Sequence, residues 1–252
     1  MQHNMVRVFK FALSIVGLLV VTLGQASAGP ITTVPTSLSP GDSYRLAFLT
    51  SGTIDATSPD IGVYNTFVDS LGDLVIASDW RAIASTSTVD ARDNTGTNPF
   101  VDGVGVPIFM LNDELLANYN SDLWNGSIGP ILGFRINDQG DVGGSAENTT
   151  VWTGTDNVGT ATLGWALGNL SIQPGPTLVT IGRSGASNSG WTQQPDLQWS
   201  DTTRRMYAMS GEFVVPGAVV PEPSSLMLLG IGAVGLLGYR LRRKRKLAPS
   251  TS

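Results

Sequence analysis

Between its first and last segments the chain holds nineteen of its twenty acidic residues, seven arginines, and no lysine, histidine or cysteine; the one histidine is His3. That inventory removes Ser-His-Asp, Cys-His and Ser-Lys nucleophiles, and zinc sites built on imidazole or thiolate. What survives is carboxylate chemistry, either a glycosidase-like acid pair or an oxygen-ligand metal site. Two polar loops gather the oxygen donors: Asp90 and Asp93 beside Arg92, and Asp138, Asp141 and Glu147 further on. The second group is the candidate for Ca²⁺, the one cofactor the sequence admits. Yet Asn137-Asp138-Gln139-Gly140-Asp141 lacks the alternating Asp/Asn ladder of an EF-hand, so solvated carboxylates or an Asp–Arg pair pinning a loop is the plainer reading.

Six tryptophans could stack on sugar rings. Trp80, Trp124 and Trp152 lie beside apolar residues, which places them in the core, because large aromatics dominate burial in a domain without disulfides. Trp191 and Trp199 sit in the polar stretch from Ser184 to Arg205, where a tryptophan either faces a ligand or pins the loop to the body.

A third chemistry is recognition of the chain itself. In Val220-Pro221-Glu222-Pro223 the two prolines fix their own φ and push Val220 and Glu222 out of the α region, giving an extended, accessible strand that lacks two N–H donors. Ser224 or Ser225 can cap the apolar run from Leu226 to Tyr239, and Arg240, Arg242, Arg243, Lys244, Arg245 and Lys246 follow. Such a basic flank resists translocation, so the body lies outside and the tail in the cytoplasm. The apolar run has fourteen residues, about 21 Å of helix against a hydrocarbon core of ~30 Å, which makes it a poor permanent anchor.

This ordered constellation resembles the PEP-CTERM sorting signal of bacterial exported proteins. The resemblance implies recognition and cleavage by a membrane-embedded exosortase-like enzyme, transient residence of the helix in the inner membrane, and delivery to the cell surface or an exopolysaccharide matrix. A plain C-terminal anchor is the alternative. At the other end, Arg7 and Lys10 precede an apolar run from Phe11 to Leu23, and Ala26-Ser27-Ala28 supplies a small-residue cleavage pattern, so a signal peptide ending at Ala28 with Gly29 as the mature N-terminus is expected.

The resulting organisation is a signal peptide over 1–28, a leader over 29–43, an exported domain over 44–215, a sorting signal over 216–246 and a short tail over 247–252. Seven arginines against nineteen carboxylates give the exported part a net charge of minus twelve, so nucleic acid and anionic membrane surfaces are poor partners. Without cysteine it must hold together on packing alone.

Strands are predicted over Tyr44 to Leu49, Trp80 to Ala84, Val106 to Leu111, Val151 to Thr155 (as a sheet edge), Val179 to Gly182 and Arg205 to Val215. A helix is predicted from Pro59 to Leu71 with Ser58 as N-cap, and Asn112 to Tyr119 reads as a short amphipathic turn or helix. The fold class is α+β, with short strands, one or two helices and long loops, followed by a single C-terminal transmembrane helix. The order Trp80-Arg81-Ala82, Val106 to Leu116, Leu123-Trp124-Asn125-Gly126, Val151 to Thr155 and Met206 to Ser210 resembles the endostatin-type branch of the C-type-lectin-like fold. That family's disulfides, zinc histidines and basic heparin surface have no counterpart here. The expected function is a non-enzymatic structural or adhesive module that takes a glycan or a matrix protein as partner; the alternative is a carboxylate-based glycosidase acting on matrix polysaccharide.

Overall fold

The computed structural model describes residues 30–130, 133–141, 149–169 and 175–217, and 234–236, 239–240 and 242 near the C-terminus. The fold is mixed α/β, with one nine-stranded sheet and few helices. Its spine is β1 (Ser43–Leu49), which lies parallel to β3 (Ile108–Met110) on one side and antiparallel to β8 (Arg205–Met209) on the other. Beyond β3 lies β4 (Leu115–Ala117); beyond β8 come β5 (Thr150–Trp152), β6 (Leu178–Arg183) and β7 (Leu197–Trp199). Two short strands complete the sheet, β2 (Arg81–Ala82) on β8 and β9 (Phe213–Val214) on β1.

Both faces of the central strands are covered, which is why Met206 to Met209 is buried without interruption. Side chains alternate across a strand, so Phe48 and its partner Ala208 face one side while Leu49 and Tyr207 face the other. On the first side Phe48 meets Trp80 at 4.9 Å between ring centroids, beneath helix α1 (Ile61–Gly72). The Trp80 indole donates to the Ile76 carbonyl at 3.0 Å, and its ring lies so close to Gly72 that a Cβ there would come within 2.4 Å of it. Only glycine permits that approach. On the other side Trp124, Phe134, Trp191 and Tyr207 form an aromatic cluster with centroid separations of 4.5 to 6.3 Å. Trp80, Trp124 and Trp152 are all buried, as their apolar neighbours predict.

Several local expectations are corrected. Helix α1 starts two residues late, because the Asp60 carboxylate, rather than Ser58, caps it by accepting from the Gly62 N–H at 2.8 Å. Ser58 Oγ instead accepts from the Asp60 N–H. The Trp80 to Ala84 strand shortens to Arg81–Ala82. The segment from Asn112 to Tyr119 is neither turn nor helix alone: Asp113 adopts φ 69°, and the reversal returns the chain as β4 against β3. Helix α3 (Asn120–Leu123) follows it, and a further short helix, α2 (Ala91–Asn94), lies in the polar loop. Strand β5 is interior, between β8 and β6, rather than an edge. The last strand breaks at Ser210, whose hydroxyl accepts from the Leu46 N–H at 2.8 Å in place of a backbone carbonyl.

The sheet's outer strand β4 is not left open, since the Gly129 N–H donates to the Leu116 carbonyl at 2.8 Å. The segment expected as a leader also holds to the body. Thr32 N–H donates to Leu111, Tyr44 Oη donates to the Thr33 carbonyl, and the Asp113 carboxylate accepts from both the N–H and the hydroxyl of Thr36.

Candidate functional site

The carboxylate loops are occupied by their own surroundings. Asp138 is buried, and its two oxygens accept from the N–H and hydroxyl of Ser51 at 2.5 and 2.7 Å, which ties the end of β1 to the 137–141 turn. Asn137 closes that turn by accepting from the Asp141 N–H at 2.8 Å. Glu147, the third Ca²⁺ candidate, lies outside the described residues. Among the described residues no group of three or more His, Cys, Asp or Glu side chains is placed to hold a metal ion. In the other loop Asp90 accepts from the Ala161 N–H at 2.7 Å and lies 3.9 Å from Arg92, while Asp93 accepts from the Asn98 amide. These carboxylates fasten loops to the body.

Several arginines are likewise engaged. Arg45 donates to the carbonyls of Thr95, Ser210 and Gly96 and reaches Glu212 at 3.5 Å; Arg81 pairs with Asp79 at 2.8 Å. Arg204 lies over the Trp152 ring at 5.3 Å and donates to Gln198 and Thr150, and desolvation lowers its pKa.

Of the two tryptophans left open by the sequence, Trp191 pins its loop inside the aromatic cluster, and Trp199 is 56% exposed at the end of β7. Burial also pushes the Tyr207 hydroxyl well above its ordinary pKa, so this phenol stays protonated.

Two clefts of similar size open on the described surface. One, of about 520 Å³, lies between Arg45, Arg81, Asp79 and Asp93 and is highly charged. The other, of about 450 Å³, is bounded by Ser87 and the segment from Ala161 to Asn169, and no charged side chain lines it. Sequence reading missed this second cleft. Its walls come from segments some seventy positions apart, and the one local signal is the run of glycines at 159, 164 and 168.

The sorting elements belong to the C-terminal segment. Val220, Pro221, Glu222 and Pro223 lie outside the described residues, as do Ala26, Ala28 and Gly29 at the other end and Arg243, Lys244, Arg245 and Lys246 in the basic cluster. Residues 234–236, 239–240 and 242, Arg240 and Arg242 among them, have helical backbone, and Val234, Leu236 and Tyr239 are exposed. No helix among the described residues is long and apolar enough to cross a membrane; most of the expected span from Leu226 to Tyr239 lies outside them. Strand β9, which ends at Val214, lies only a few residues before the prolines in sequence.

No curated protein matches this chain. Residues 219–244 match the family described as the PEP-CTERM protein-sorting motif. The match takes in the Pro-Glu-Pro element, the apolar run and most of the basic cluster in one register, so the chain carries the C-terminal signal of an exosortase-sorted exported protein.

Proposed function

We propose that this protein is exported behind a cleaved signal peptide, sorted and cut near Pro221 to Pro223 by an exosortase-like membrane enzyme, and released to the cell surface or an exopolysaccharide matrix. Its body acts there as a non-enzymatic, C-type-lectin-like structural or adhesive module. The match of residues 219–244 to the sorting motif carries the sorting half of this reading. The body's role is supported by the absence of His, Cys and Lys from the exported region, by carboxylates committed to loop fastening, and by short strands joined through long loops.

The intact mass of the mature protein from native cells tests both ends at once. It is expected to lack residues 1–28 and the segment beyond the cleavage site, with Gly29 as the first residue on terminal sequencing. Retention of Met1 on the exported protein would contradict the signal-peptide reading. Partner choice follows from charge: with a net minus twelve and Arg45 and Arg81 paired with carboxylates, the protein is expected to pass through a heparin column at low salt, where attraction to a polyanion is strongest. Firm retention there, or polysaccharide turnover abolished by removing a single carboxylate, would count against a non-enzymatic module for neutral partners.

A further inference from the structure

The ends of the strands gather exposed apolar side chains where the chain leaves the body. Strand β1 runs parallel to β3, with Arg45 opposite Ile108, and antiparallel to β9, with Ser43 opposite Val214. Strand β4 returns antiparallel to β3, with Ala117 opposite Ile108. The residues before Ile108, the residues after Ala117 and the exit past Val214 therefore share one end of the sheet, while the β3–β4 turn at Asp113 and Glu114 lies at the other. At the exit end Phe100, Val101, Val104 and Tyr119 are 84%, 78%, 69% and 52% exposed, and Val214 is exposed on β9.

The loop that carries the first three is firmly bonded. Arg45 holds its start by donating to the Thr95 carbonyl at 2.7 Å, and Asn120 holds its close by donating from its N–H to the Val104 carbonyl at 2.8 Å and from its carboxamide to the Gly103 carbonyl at 3.1 Å. Residues 99–102 form a turn that closes on buried Asn98. The Asn98 carbonyl accepts from the N–H groups of Val101 and Asp102 at 3.1 and 2.7 Å, and its side-chain oxygen accepts from the Phe100 N–H at 3.0 Å. Asp102, the one charge in the turn, folds back to accept from the Asn98 N–H at 2.8 Å. Gly105, at φ +76°, lies so close to Asn120 that a Cβ would come within 2.2 Å of its carboxamide oxygen. The apolar tip is thus held out by its own backbone, and an exposed patch of this kind marks a contact with a protein or a membrane.

The exit of the chain chooses between the two. Leu226, where the apolar run begins, is nine positions after Gly217, a reach of at most about 32 Å. Before processing, this end of the body cannot stand farther than that from the point where the C-terminal helix enters the bilayer. A second copy is disfavoured, because it would bring together two bodies that each carry a net charge of minus twelve. We infer that the 99–104 turn, together with Tyr119, docks on uncharged lipid in the interfacial layer of the membrane while the C-terminal helix is attached, with Phe100 and Val101 entering the headgroup–acyl boundary. The inference rests on reading the apolar run as the membrane helix of the sorting signal. Tethering raises the effective concentration of the turn at the bilayer, so a contact too weak to hold a free protein is populated. Cutting near Pro221 to Pro223 removes the tether and lets the body go.

The chain has no cysteine, so a single one can be introduced and labelled without background. The test takes the tail-bearing chain from the membranes of a host without the sorting enzyme, checks its ends by intact mass and reconstitutes it in phosphatidylcholine vesicles. An environment-sensitive fluorophore is placed on Val101→Cys or, at the opposite end of the sheet, on Glu114→Cys. Emission from the Val101 position is expected to shift to the blue and to be quenched by spin-labelled lipid, and emission from the Glu114 position to do neither. Phe100→Ser with Val104→Ser should abolish the shift without changing the melting temperature, since both side chains are exposed. A shift that survives these changes, or a vesicle-bound chain whose Val101 label stays in water, would overturn the docking and leave the sorting reading intact. A shift lost in nanodiscs that hold one chain each would assign the turn to a second copy and overturn the inference as well. A chain that does not float with the vesicles would remove the membrane helix itself and overturn both readings.

Discussion

A chain carrying Pro221→Ala and Pro223→Ala is exported normally but keeps its C-terminal segment, so its intact mass exceeds that of the wild-type mature protein by the length normally removed. The two prolines hold Val220 and Glu222 extended and strip two N–H donors from the strand offered to the enzyme. With alanine at both positions the serines no longer mark the helix start, and the apolar helix can extend backward through the motif, since alanine is the strongest helix former. A protease that reads an extended strand then loses its substrate. The N-terminal segment proposed as the signal peptide is untouched, so export is expected to continue and the effect to be confined to maturation. Pulse-labelling followed by mass analysis reads it directly, and loss of the tail at the wild-type rate would show that the motif is not the processing element.

Trp152→Ala destabilises the body by about 3–5 kcal/mol, the range for deleting a large buried aromatic. Trp152 is fully buried on the interior strand β5, its indole N–H donates to the Ile54 carbonyl at 3.0 Å, and the Arg204 guanidinium lies over its ring. Truncation opens a cavity, removes one of the two hydrogen bonds that the Ile54 carbonyl accepts, the other coming from the Arg204 N–H at 2.9 Å, and removes the surface on which a partly desolvated cation rests. Trp152→Phe restores most of the volume but not the N–H, and should cost only about 1 kcal/mol. Urea denaturation separates the three proteins, and an unchanged midpoint for the alanine variant would mean that this ring does not hold β5, β6 and β8 together.

Much of the central sheet could be read from local pattern. Alternation from Tyr44 to Leu49 and the apolar run from Met206 to Met209 identify β1 and β8, and the spacing of Tyr64, Phe67, Val68 and Leu71 identifies α1. What escaped depends on partners distant in sequence. Leu115 and Leu116 have helical leanings, yet Asp113 in the left-handed region, fastened by Thr36, turns the chain into a hairpin. Asp60 displaces Ser58 as the cap because its carboxylate reaches the Gly62 N–H, a choice between two good capping residues that composition cannot make. The sorting signal was legible because it is a local, linear motif. The uncharged cleft was not, because its walls come from segments some seventy positions apart.

The pairing of β1 with β8 and β9 has a kinetic consequence. The Leu46 N–H meets Ser210 across 164 positions, and Ser43 pairs with Val214. Contacts this remote in sequence carry a large loop-closure cost before they are rewarded, which slows folding. During synthesis β1 would wait for its antiparallel neighbours until nearly the whole body had been made, with the central sheet incomplete in the meantime. A chain that cannot close its sheet early stays open until the strands just before the sorting motif have been made, which suits the export that the motif implies.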